Sequence, residues 1–303
     1  SKGYLFSLVS FGANQIFADK TTYTSILTLK KSIQKEFLYT EIKSLAEWKI
    51  RDFSNIDFER IELKTLSSDL WFLIPPYLKN IYDSLLKQSD TLERIVGKKN
   101  INNGIQTSAN EIFVFRPIRH DDQYFYFLKE KTEYKIEKSI VKPYYETNRK
   151  KGEDKLYTYR NFVPNSYVIY PYKKVNDKIE FIELDELKAK YKEAHRYFTT
   201  PSIKDRLIMN SKGEPRSIKP TPITDNEWYR YGRSQYLNLG DINEKIIVGV
   251  MAMGEKYPID RYRTLHTAGG TAGYCSIYLS DNNPYSIYYI QAIINSKYVE
   301  WII

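Results

Sequence analysis

Hydrophobic and polar positions alternate with a two-residue period near the start of the chain. Thr22, Thr24, Ile26 and Thr28 interleave with Tyr23, Ser25, Leu27 and Leu29, which predicts a β-strand. GYLFSLVSF, residues 3–11, is a second β-like run, and Gly12-Ala13-Asn14 between the two is turn-prone, so a hairpin-like segment is expected. So early a strand has little before it to pair with, and the chain ends on apolar Trp301-Ile302-Ile303 with no capping residue. Both ends therefore read as cuts within a longer polypeptide.

Beyond a mixed polar stretch reaching about residue 70, the period changes. Leu78, Ile81, Tyr82, Leu85 and Leu86 share one helical face, with Pro75-Pro76 at the start. SDTLERIVGKKN reads as a short capped helix or turn, followed by the loop NNGIQTSAN and a strand EIFVF at 111–115. YFYFL, SIVKPYY and SYVIYPY make the region from Tyr124 to Tyr172 rich in β-like runs. LDELKAKYKEAHRYF is the clearest amphipathic helix, with Asp185 as a candidate cap and Leu187, Tyr191, Ala194 and Phe198 at helical spacing. A polar stretch from about 210 to 226 leads to WYRYGRSQ, read as extended from Tyr229 onward, then to a strand KIIVGVMAM, a turn TAGGTAG and a strand YCSIYLS. The closing helix is expected to turn Ile287, Ile290, Ile294 and Tyr298 inward. Strands and helices are interspersed without regular βαβ alternation, which predicts an α+β fold with a mixed sheet and peripheral helices.

The 303 residues are 42% hydrophobic, enough for a substantial core. A net charge of +9 favours a polyanionic partner, and the 28 tyrosines suit wet interfaces and base stacking as well as cores. With a single cysteine, Cys275, there is neither an internal disulfide nor a cysteine-rich zinc site. No apolar run reaches a membrane span and no signal peptide is visible, so a cytoplasmic location is expected.

Several motif matches fail on their chemistry. IPPY at Ile74 to Tyr77 has the outline of the Asn/Asp-Pro-Pro-Tyr site of amino-group DNA methyltransferases, but Ile74 offers no acceptor to the amino group being methylated. Asp57, Glu62 and Lys64 form a loose Asp…Glu-x-Lys nuclease pattern, common by chance in a chain with 27% charged residues. His195 reads as a boundary residue of its helix, and AGGTAG, lacking the Lys-Ser/Thr of a P-loop, as a hairpin turn.

Two segments carry more. GIQTSANEIFVF presents Gln106, Thr107, Ser108 and Asn110 on short stems that can reach base edges. WYRYGRSQ concentrates Arg230, Arg233 and Gln235 among aromatic residues, with guanidinium and amide groups suited to guanine, adenine and phosphate. Gly232 between them is expected to mark a bulge or to admit DNA close to the backbone. Arg149, Lys150 and Lys151 form a basic cluster in a polar loop, a candidate phosphate contact.

Taken in order, LVSFGANQIFADKTTYTSILTLKK, GIQTSANEIFVF, IVKPYY, VIYPYK, WYRYGRSQ, GGTAGYCSIYL and YIQAIINSKYVEWII resemble the C-terminal part of TaqI-class adenine-N6 DNA methyltransferases, and most of all the fused methylase-endonucleases termed type IIG restriction enzymes. The resemblance implies that residues 1–45 are the tail of a methyltransferase domain and 46–303 a DNA target-recognition domain. It also implies that Phe17 stacks on the flipped target adenine; on side-chain chemistry Gln106, Thr107, Asn110, Arg233 and Gln235 are the candidate base readers, and Arg149, Lys150, Lys151 and Arg230 the candidate backbone contacts. The chain shows neither a glycine-rich S-adenosylmethionine loop nor an intact Asn-Pro-Pro-Tyr site. The fragment is therefore expected to bind double-stranded DNA without catalysis, metal or cofactor of its own. S-adenosylmethionine, and magnesium where the parent also cleaves, would belong to the parent enzyme and its upstream methyltransferase domain. An independent metal-dependent nuclease using Asp57, Glu62 and Lys64 and an RNA-binding module are the competing readings.

Overall fold

A computed structural model describes residues 2–12, 14, 16–17, 24–50, 56–66, 71, 73, 76–146, 162–210, 212–220, 224–249, 257–268 and 273–302. They fall into two compact units, Ser1–Thr91 and Leu92–Ile303. The boundary expected at residue 45 lies inside the first of these. No described helix is long and apolar enough to cross a membrane.

In the first unit β1 (Leu5–Ser10), β2 (Ser25–Leu29), β3 (Glu36–Glu41) and β4 (Glu59–Glu62) form one sheet in the order β2-β1-β3-β4. β1 pairs antiparallel with β2, as the hairpin reading predicts, and parallel with β3. The alternating strand thus has a sheet to join, built from the stretch of sequence that lacked a clear period. Leu5, Leu8, Phe37, Tyr39 and Ile61 are buried in one cluster, Leu5 and Leu8 sharing it across a register shift between Leu5 and Ser7, and Val9 is buried with Phe11 and Ile42 in another. All five residues of β2 are exposed. After α1 (Leu45–Ile50), helix α2 (Pro76–Gln88) begins within the expected Pro75-Pro76, but its face is only partly inward, with Tyr82 buried and Ile81 exposed; α3 (Leu92–Val96) opens the second unit.

The second unit combines helices with mixed sheets, an α+β architecture as expected. β6 (Val114–Phe115), β10 (Val141–Tyr145), β11 (Ser166–Ile169) and β16 (Leu265–His266) make one four-stranded sheet, ordered β16-β10-β11-β6. β5 (Ile101–Asn103), β14 (Lys245–Gly249), β15 (Ile259–Asp260) and β17 (Tyr274–Ile277) make another, ordered β15-β14-β17-β5. The meander β7 (Arg119–His120), β8 (Tyr124–Lys129), β9 (Thr132–Glu137) and the hairpin β12 (Tyr172–Val175)–β13 (Lys178–Phe181) complete the strands described.

Three expectations are corrected. The first half of EIFVF is a helical turn, α4 (Asn110–Phe113), and only Val114–Phe115 is strand. A strand would send Ile112 and Phe113 to opposite faces, whereas the turn buries both. The single amphipathic helix is two, α5 (Leu184–Lys190) and α6 (Lys192–Thr199), broken at Tyr191, whose φ is −127°. Asp185 lies inside the first turn of α5 and does not cap it; α6 is capped from β9, where the Glu137 carboxylate accepts the N–H groups of Glu193 and Ala194 at 2.7 and 3.0 Å. The final helix is likewise divided into α8 (Ile287–Ile294) and α9 (Lys297–Ile302), and Tyr298, expected inward, is 75% exposed because the turn at Asn295 resets the helical phase.

The core of this unit explains much of the tyrosine content. Tyr197, Tyr229 and Tyr231 are buried, and their hydroxyls donate to the carbonyls of Ile112, Ile182 and Ile169 at 2.7–2.8 Å. Tyr170 donates to Leu237 O at 3.1 Å. Each ring fills space while its hydroxyl satisfies a backbone acceptor from a distant segment, so the phenol ties loops to the core without leaving a buried polar atom alone. Burial pushes all four hydroxyls well above the ordinary tyrosine range.

Candidate nucleic-acid interface

The loop at 104–110 and the segment at 228–235 meet directly. Gln106 and Arg233 form an antiparallel bridge, with Arg233 N donating to Gln106 O at 3.1 Å and Gly232 N to Thr107 O at 2.8 Å. On its far side Arg233 bridges Lys219 in parallel, and Lys219 N donates to Gly232 O at 2.9 Å. On the other side Ile105 bridges Thr267, which follows β16. Four segments distant in sequence thus lie side by side as a ribbon continuing the β16 edge.

Two local features fix this ribbon. Gly232 is required by Ser108: an added Cβ would lie 1.9 Å from the serine Oγ and 2.4 Å from its Cβ. The sequence offers a bulge or close approach of DNA as the reason for Gly232; the contact with Ser108 is a further, internal one. Ser108 itself has a left-handed φ of 59°, at the tip of a turn in which Thr107 Oγ1 accepts Ala109 N and donates to Asn110 Oδ1. The second feature is Arg216, 7% exposed. Its guanidinium donates to the carbonyls of Leu207 (2.7 Å), Thr107 (2.9 Å), Trp228 (2.6 Å) and Arg230 (2.7 Å). One planar fork clamps both candidate segments and the end of α7 (Pro201–Ile208). Burial pushes it down to about 10, so it stays charged at neutral pH.

The expected side chains then separate by environment. Arg233 and Ser108 are exposed and Gln106 and Gln235 half-buried. Arg233, Gln106 and Gln235 make no side-chain hydrogen bond or ion pair among the described residues. Lys219, unnoticed in the sequence because it lies in an unpatterned polar stretch, is exposed beside Arg233 and likewise has no acidic partner there. Two adjacent unneutralised cations repel each other unless an anion lies between them. Thr107 is 1% exposed and its hydroxyl is engaged in the turn, so it shapes the loop. Asn110 is half-buried and accepts that hydroxyl. Arg230 is only 14% exposed at its side chain and ion-paired with Glu227 at 2.7 Å, so its charge is balanced locally. Trp228 and Tyr229 lie in a turn and are buried with Tyr231 in the core, so strict strand alternation does not hold through WYRYGRSQ.

Other expected residues lie elsewhere or outside the described residues. Phe17 is 55% exposed, in the first unit, and does not serve as a core residue. Arg149, Lys150 and Lys151 lie outside the described residues, as do Ile74 and the centre of TAGGTAG. Asp57, Glu62 and Lys64 are exposed, and Lys64 pairs with Glu62 at 2.7 Å. Among the described residues no group of three His, Cys, Asp or Glu is arranged to hold a metal ion. His195 is half-buried on α6, at the boundary as read.

No protein-family model matches the chain. It is 45% identical over 298 residues to the type II restriction enzyme and methyltransferase RM.Eco57I of Escherichia coli. The alignment takes in 98% of this chain and 29% of that protein, so the chain spans less than a third of the relative's length. Nearly end to end, the chain is homologous to a region of a restriction-modification enzyme.

Proposed function

We propose that the chain binds double-stranded DNA as the target-recognition part of an adenine-specific methyltransferase of the TaqI-like, type IIG kind. The observation that carries this reading is the pairing of Gln106 with Arg233, which puts two segments independently suited to base edges on one ribbon with unneutralised cations. The homology to a restriction enzyme and methyltransferase supports the same class. In this reading residues 1–45 belong to a methyltransferase domain whose S-adenosylmethionine site, and any magnesium-dependent nuclease, lie in the rest of the longer polypeptide. Phe17, exposed, stacks on the extruded adenine; Phe17→Ala in the full-length enzyme lowers methylation while the fold survives.

Fluorescence anisotropy with mixed-sequence duplex DNA, single-stranded RNA and magnesium-containing buffer tests the proposal. Duplex binding that outcompetes RNA, without cleavage by the isolated chain, is expected. RNA preference would favour the RNA-binding alternative, and magnesium-dependent cleavage lost in Glu62→Ala the nuclease.

A further inference from the structure

The stretch at 216–219 alternates as a strand does: Arg216 and Ile218 are buried, Ser217 and Lys219 exposed. Its inward side chains anchor it, Arg216 through four carbonyls and Ile218 in the protein interior, and Lys219 N donates to Gly232 O at 2.9 Å. Bridged residues of a ladder point to the same face, so Gln106, Arg233 and Lys219 form one row across three strands. The row runs amide, guanidinium, ammonium. Among the described residues none of the three side chains has an ion pair or a hydrogen bond. The fourth segment adds nothing to this face, because Thr267 Oγ1 shares a 2.8 Å hydrogen bond with the Tyr144 hydroxyl and Ile105 beside it is buried.

Dimensions then separate the roles. Strands lie about 4.8 Å apart, so the row is about 10 Å wide between its outer backbones, before side chains are added. A major groove about 12 Å wide accepts two strands and not three. With the strands of Gln106 and Arg233 in the groove, that of Lys219 lies over its wall, where the duplex carries phosphates. Chemistry gives the same order: an amide and a guanidinium match base edges with paired hydrogen bonds, whereas an ammonium is a compact point charge. We propose that Lys219 grips a backbone phosphate on one wall of the groove that Arg233 and Gln106 read, and so fixes the ribbon's register on the duplex without choosing its sequence. This inference rests on the duplex-binding reading.

The test measures the affinity of the native full chain, Lys219→Gln and Lys219→Arg for mixed-sequence duplex and for the duplex that the native chain selects, over a salt series. One phosphate contact contributes about 0.9 to the log-log slope, so the ratio of native to Lys219→Gln affinity should fall about 3.5-fold between about 50 and about 200 mM salt, equally on both duplexes. Lys219→Arg keeps the charge and should keep the native slope. On the selected duplex, phosphates are also replaced one at a time by neutral methylphosphonate. One replacement should weaken the native chain and Arg233→Ala but leave Lys219→Gln indifferent. An unchanged slope in Lys219→Gln overturns the inference and leaves the duplex reading standing. A loss confined to one base pair does the same, since Lys219 would then be a base reader. Absence of duplex binding by the native chain overturns both.

Discussion

A methyl group on Gly232 would collide with Ser108, and Ser108 has little freedom to withdraw because its own backbone is left-handed and its neighbour Thr107 is buried. Gly232→Ala is expected to destabilise the chain by about 1–3 kcal/mol. Ser108→Gly in the same molecule removes both the obstructing atoms and the positive-φ strain, so the double variant should recover most of that loss. Urea denaturation of the four proteins checks the cycle; simple additivity would contradict it. His266 offers a second residue-scale test. It is wholly buried, its Nε2 is 2.5 Å from Ser276 Oγ, and burial pushes the imidazole down to about 3. Its folded value lies below the unfolded one near 6.5, so its contribution is complete above that pH and is lost as pH falls toward 3. Between pH 6.5 and 5 the native chain should lose ~2 kcal/mol more than His266→Gln, measured by the same denaturation. Parallel pH profiles would show that His266 does not titrate against the fold.

At the scale of elements, the ribbon depends on Arg216 more than on strand pairing, because its bridges are single residues. Lysine can place one ammonium there but cannot reach four carbonyls from a planar fork. Arg216→Lys should therefore cost about 3 kcal/mol and narrow the gap between cognate and random DNA. Unaltered stability would remove Arg216 as the clamp. Period-two and helical patterns made β2, β8, β10, β11, α6 and α8 legible in the sequence, and short polar stems marked the loop at 104–110. The ribbon was not legible. Its segments are too short to show a period, its clamp comes from an unpatterned stretch, and Gly232 answers to a residue more than a hundred positions away. Nor could spacing show the break at Tyr191, since apolar positions continue through it while the cap of α6 arrives from Glu137 on a distant strand.

Over the whole molecule, a net charge of +9 predicts a sequence-independent component of DNA binding that weakens steeply with salt. If Arg149, Lys150 and Lys151 contribute, replacing all three with Ala should weaken specific and random duplex alike and flatten the log-log salt slope by up to about 0.9 per contact. An unchanged slope would place them outside the interface. Base reading is a separate quantity, assigned to the edge where Arg233 and Gln106 meet. Selection from a random duplex pool, run with the native chain and with Arg233→Ala, separates the two. The native chain should enrich a short motif, and the variant should lose preference at one base pair, with about 1–3 kcal/mol lost on the cognate site and much less on random DNA. Equal weakening on cognate and random duplex, or no motif from the native chain, would contradict a reading role for this edge.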